Sequence, residues 1–191
     1  MSLAELNKTL TKILSVDSNS NMDKHQEAVD YLKKWIVDFV SKNHPDLGNF
    51  PPCPFAKQAM IEDKITFQEV SSVKHCVDEI LKHSKDWNDD IDVHCLVFDN
   101  LPLKEELVKS IEDVNSTIMP EDFVVLEDHP DIEENINGVI MNNGAYAICL
   151  MQRLTKIQRF SNILKKQGYY KVWTKENLDE VVNWRSTIPD S

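Results

Sequence analysis

The chain has 191 residues, 41% of them apolar, and a formal net charge of −11. That length suits one ordinary domain, and the apolar share is too high for a disordered chain. The acid excess opposes general nucleic-acid binding. No apolar run approaches the ~18 residues of a membrane span, and four glycines are too few for a Gly-rich phosphate loop or an all-β fold built on tight turns.

The start, Met1 to Leu6, lacks a basic stretch followed by an apolar block. No signal peptide is read, and a cytoplasmic protein without membrane contact is expected. Ser2 to Ile13 has helical propensity, and Val16 to Asn21 is a polar linker, so residues 1–21 are expected to form a helical arm. Residues 22–191 are expected to form a single α/β domain.

A helix is predicted from Met22 to Lys42, with Val29, Leu32, Trp35, Ile36, Phe39 and Val40 on one stripe. Asn43-His44-Pro45 ends it, because the residue before proline avoids the α region. A Pro-rich connection and a short helix, Phe55 to Met60, follow. Ile65–Val70 alternates as a strand, Val73–Lys85 reads as a helix, and Ile91–Phe98 reads as a strand buried on both faces. Pro102 starts a helix to about Val114, and Phe123–Leu126 is a third strand. Asn135–Met141 would add a fourth strand, with a turn at Asn142-Asn143-Gly144. Ala145–Gln167 is predicted as one long helix stopped by Gly168. Tyr169–Trp173 reads as a short strand or an aromatic lock. Thr174 is a good N-cap for a last helix, Lys175–Trp184. Strands alternating with helices imply a small, mainly parallel three- to four-stranded sheet with flanking helices and long N- and C-terminal helices.

Charge is unevenly spread. Asn135 to Lys175 has no acid and seven basic residues, while the rest carries 14 basic against 32 acidic, or −18. Arg153, Lys156 and Arg159 share a helical face and would hold a small anionic or polar ligand, with Tyr169 and Tyr170 closing over it. Asn142 and Asn143 are further ligand candidates. The acidic remainder would suit a basic protein partner.

Cys76, Cys95 and Cys149 lie in apolar periodic segments and read as small buried hydrophobes. Cys53 differs, because it lies in a Pro-rich connection. His129-Pro130-Asp131 follows the third strand, at the carboxyl edge where parallel sheets place ligands. Asp99 ends the second strand on that edge. If Cys53 reaches it, His129 would take the thiol proton, with Asp131 or Asp99 orienting the imidazole. Alternatively Cys53, His129 and a carboxylate would bind a metal with a fourth position open, and His94 and His75 could serve as further ligands. His25, His44 and His83 read as solvated.

The segments Pro52-Cys53-Pro54-Phe55-Ala56 and His129-Pro130-Asp131 resemble an uncharacterised bacterial family with Leu-Cys-Pro-Phe-Ala and Phe-His-Pro-Asp-Tyr signatures. The resemblance spans Val29 to Asp131. Pro52 stands where that family has leucine, Asp128 where it has an aromatic residue, and Ile132 follows Asp131. Asn142 to Tyr146 is a loose counterpart of the family's Asn-Arg-Ser-Pro-Tyr-Pro stretch. The resemblance implies that Cys53 and His129 are signature residues. Three functions follow from this reading: an enzyme with a Cys-His site, an acidic interaction protein, or a metal-binding protein. No cofactor is specified.

Overall fold

The computed structural model describes residues 22–186, so the expected arm over residues 1–21 lies outside the described residues. The first helix, α1, covers residues 22–35 and continues as a π-helical turn, Ile36–Val40. It buries Ala28, Val29, Leu32, Ile36 and Val40. His44 is extended before Pro45, as sterics at an X-Pro bond require. Then come α2 (Ala56–Ile61), β1 (Ile65–Val70), α3 (Val73–Lys85), β2 (Val93–Phe98), α4 (Lys104–Ile118) and β3 (Phe123–Asp128). A two-stranded hairpin, β4 (Asn135–Ile136) and β5 (Val139–Ile140), stands apart from the main sheet. The chain returns as β6 (Ile148–Arg153) and passes directly into α5 (Leu154–Gln167). Tyr169–Val172 is a 3-10 turn, α6 is Lys175–Val181, and a final 3-10 turn covers Asn183–Ser186.

The main sheet has the order β1-β2-β6-β3. Only β1 and β2 pair in parallel, while β6 runs antiparallel to both β2 and β3. The expected mainly parallel sheet is therefore corrected to a mixed one. The expected long helix from Ala145 is corrected too, since its first part is β6 and the helix has 14 residues. The physical reason lies in residues 147–151, an uncharged run whose alternate side chains are buried on opposite faces. Ala147, Cys149 and Met151 face α3 and α4 with Leu96, Phe98 and Ile111, while Ile148 and Leu150 face α1 with Leu32 and Val97. Such a two-sided run suits a central strand as well as a buried helix.

Three layers result. Helices α3 and α4 cover one face of the sheet, α1 covers the β2–β6 part of the other, and Leu154 and Ile157 of α5 cover Val124 of β3. Three polar devices hold the layers in register. Ser72 caps α3 through the His75 amide at 3.1 Å. Asp122, in the left-handed region at φ 68°, accepts from the Thr155 amide at 2.8 Å and the Thr155 hydroxyl at 2.9 Å. It thereby supplies the N-cap that α5 lacks in its own sequence. Buried Asn115 of α4 accepts from the Val125 amide at 2.8 Å and donates to the Val125 carbonyl at 2.9 Å. This pair of bonds satisfies the β3 edge as a neighbouring strand would.

Candidate functional site

Predicted site residues fall into separate environments. The Cys53 amide donates to the Val40 carbonyl at 3.0 Å, which ties the Pro-rich connection to the end of α1. Phe55 stacks on Phe160 of α5, with centroids 3.9 Å apart, and the Tyr169 hydroxyl donates to the Pro52 carbonyl at 2.5 Å. The connection is thus clamped to α5 and the turn after it. Cys53 is half-buried as a residue. Dense packing around its sulfur pushes the thiol pKa up, against the opposing pull of the Phe55 and Ala56 amides and of Arg185.

His129 is engaged elsewhere. It is buried, its Nδ1 accepts from the Asp131 amide at 3.0 Å, and its Nε2 donates to the Pro102 carbonyl at 3.0 Å. Both ring nitrogens are spent joining the end of β3 to the start of α4, so neither is open to a thiol. Asp131 contributes its amide, and its side chain is exposed, as is that of Asp99. Cys76, Cys95 and Cys149 are buried in the core.

The anion-binding candidates are largely matched within the protein. Arg153 donates to Asp89 at 2.8 Å and lies over the Phe123 ring at 4.3 Å, and Lys156 pairs with Asp92. Arg159 is exposed. Asn143 is buried and shapes the turn before β6. Its amide nitrogen donates to Asp128 and to the Tyr146 carbonyl, each at 2.8 Å, while its oxygen accepts from the Ala145 and Tyr146 amides. Asn142 donates to the Ile132 carbonyl at 2.7 Å.

His94 and His83 form a cluster that sequence reasoning did not assemble. Their rings lie 4.0 Å apart. Gln68 donates to Glu79 at 2.8 Å, so its oxygen accepts from Nε2 of both histidines at 3.1 Å. Nδ1 of His94 then accepts from the Thr66 hydroxyl at 2.6 Å. Both rings are held as neutral donors, and burial, with His83 beside it, pulls His94 down to about 4. His75 caps the Ser71 amide instead, at 3.2 Å. Among the described residues, no three His, Cys, Asp or Glu side chains are arranged to hold a metal ion.

The arrangement with open chemistry lies between α5 and the C-terminal turns. A cavity of about 380 Å³ is walled by Gln158, Ser161, Asn162 and Lys165 of α5. Tyr170, Leu178, Val182, Asn183, Arg185 and Ser186 complete the lining. Arg185 is only 7% exposed, and its guanidinium has no ion-pair or hydrogen-bond partner among the described residues. Burial lowers its pKa from the usual guanidinium value, and the neighbouring Tyr170, Glu134 and Cys53 counter that pull. Burial lifts the Glu134 carboxyl to about 7. Asp128, Glu127 and Glu180 add to the rise, while Arg185 opposes it. At neutral pH this carboxyl is therefore only partly ionised and compensates Arg185 incompletely.

Neither Arg185 nor Glu134 was singled out from the sequence. The signal was present for Arg185, which continues the stripe of Leu178 and Val182 at helical spacing and sits where an apolar residue is due. No family model matches the chain, and no curated protein or solved structure matches it.

Proposed function

We propose that this protein binds a small anion in the cavity between α5 and the C-terminal turns, with Arg185 as its receptor. The observation that carries the reading is the buried guanidinium without a partner among the described residues. A buried charge whose neighbouring carboxyl, Glu134, is only partly ionised is left incompletely compensated, which is unfavourable. A ligand carboxylate or phosphate would accept its parallel N–H pair and recover that energy. Lys165 adds positive charge, and among the described residues no carboxylate lines the cavity. The ligand class is the one the basic segment implied; of the residues expected to bind it, Tyr170 lines this cavity, while Arg153, Lys156 and Arg159 do not.

A Cys53–His129 reaction forms no part of the proposal, because His129 spends both nitrogens on backbone groups. The reading includes a cytoplasmic setting, supported by four cysteines all present as free thiols. No helix among the described residues is long and apolar enough to cross a membrane.

Calorimetric titration with sulfate and inorganic phosphate at constant ionic strength tests the proposal. Binding is expected in the native chain and a loss of about ten- to hundredfold in Arg185→Gln, the worth of one charge-assisted contact of ~1.5–3 kcal/mol. Equal binding by a folded Arg185→Gln chain, or none by the native protein, would refute it.

A further inference from the structure

Resting on the anion-binding reading, we infer that the ligand is a small hydroxyl-rich anion, of the class of sugar phosphates and sugar acids. Gln158, Ser161, Asn162 and Lys165 recur at intervals of three, one and three along α5 and line the cavity together. They form one polar stripe, about 10 Å long at 1.5 Å per residue. The helix turns its apolar residues Leu154, Ile157 and Leu164 elsewhere, into buried positions. The stripe is thus a wall of the cavity rather than part of the core.

Hydrogen-bonding capacity along this wall is unspent. The Ser161 hydroxyl and the Asn162 amide have no hydrogen-bond partner among the described residues, and Gln158 commits only its nitrogen, to the Arg185 carbonyl at 2.8 Å. A ligand with an alkyl tail would cover these groups and leave them unsatisfied, which penalises it. Hydroxyl groups along the ligand would pair with them. The C-terminal turns add the Tyr170 ring, Leu178 and Val182 to the lining, apolar surface for the C–H face of a sugar or polyol.

Charge and depth set the orientation. Arg185 is buried and Lys165 exposed, so the anionic head goes in first and the hydroxylated body extends towards the rim. The volume, about 380 Å³, lies near the lower end of small-molecule sites and suits a ligand of monosaccharide size.

Calorimetry with glucose 6-phosphate, gluconate, glucose, hexanoate and inorganic phosphate is the test. Glucose 6-phosphate or gluconate is expected to bind at least about tenfold more tightly than inorganic phosphate and hexanoate, with neutral glucose weakest. Which of the two binds better identifies the head group. The double variant Ser161→Ala, Asn162→Ala keeps or raises helix propensity. It should erase the tenfold advantage and leave inorganic phosphate binding unchanged. Hexanoate binding as tightly as gluconate, or an advantage that persists in the double variant, would overturn the inference. Should phosphate bind through Arg185 with no gain from hydroxyls, the inference falls and the anion site stands. If none of the anions binds, both fall.

Discussion

Replacing Glu134 with glutamine should remove the loss of stability that its ionisation causes as pH rises. The carboxyl titrates near 7 in the folded chain against an ordinary 4.5, so the unfolded state gives up its proton first as pH rises. A raised carboxyl contributes its full stability below about 4.5 and loses it progressively up to about 7. A displacement of that size is worth about 3.4 kcal/mol at 1.36 kcal/mol per pH unit, and water at this half-buried position trims it to ~2–3 kcal/mol. Glutamine keeps the shape and cannot ionise. The native chain should therefore lose ~2–3 kcal/mol relative to Glu134→Gln between pH 4.5 and pH 8. Urea unfolding followed by circular dichroism across that range measures the difference. Sulfate, whose charge is constant there, adds a functional readout. Its affinity should fall severalfold in the native chain as Glu134 ionises beside Arg185, and stay flat in Glu134→Gln. Parallel stability profiles for the two proteins would refute the reasoning, because the carboxyl would then have no unusual proton affinity.

Two further outcomes test the rest of the structure. His94, held near 4 against an ordinary 6.5, contributes with the opposite sign: stability is whole above 6.5 and is lost by ~2–3 kcal/mol as pH falls to 4. His94→Gln should remove that acid limb in the same urea series, and an unchanged limb would dismiss the Gln68-centred network as its source. Asn115→Leu should cost about 2–4 kcal/mol, because it orphans the buried amide and carbonyl of Val125 at ~1–3 kcal/mol each, offset in part by the added apolar surface. A loss under ~0.5 kcal/mol would show that the β3 edge does not need this side chain.

Much of the architecture is legible in the sequence because local signals coincide with tertiary demand. Val73–Lys85 and Ile65–Val70 fall where periodicity places them, Thr174 caps α6, and Gly168 stops α5 at φ 85°. Sheet direction is not legible in this way. Strand-helix-strand alternation as far as β3 fits parallel neighbours, and β1 and β2 are such a pair. The fourth strand breaks the pattern because a long loop, rather than a helix, returns the chain to it. Asn143 shapes that loop by bonding Asp128 at the end of β3 and the turn before β6. A reversal without a crossover helix delivers an antiparallel strand, and β6 inserts between β2 and β3, where its uncharged residues are buried on both sides.

The site is less legible than the fold for a reason of the same kind. Sequence reading assigns chemistry to residues whose type is rare or whose neighbours are unusual, and Cys53 and His129 stood out on that ground. Whether a polar group is available depends instead on what its atoms already touch. His129 spends both ring nitrogens on backbone groups, Arg153 pairs with Asp89, and the Asn143 side chain makes four hydrogen bonds, and none of these pairings has a local sequence signature. Arg185 lies in a segment rich in acidic residues, where an ion pair is the ordinary expectation. Its apolar spacing directs it inwards instead, past Leu178 and Val182 and into the cavity. A charge delivered by the hydrophobic pattern to a place where, among the described residues, the only carboxyl near it is the partly ionised Glu134 retains capacity to bind an anion, and for that reason the proposed site rests on this side chain rather than on the basic residues on the surface of α5.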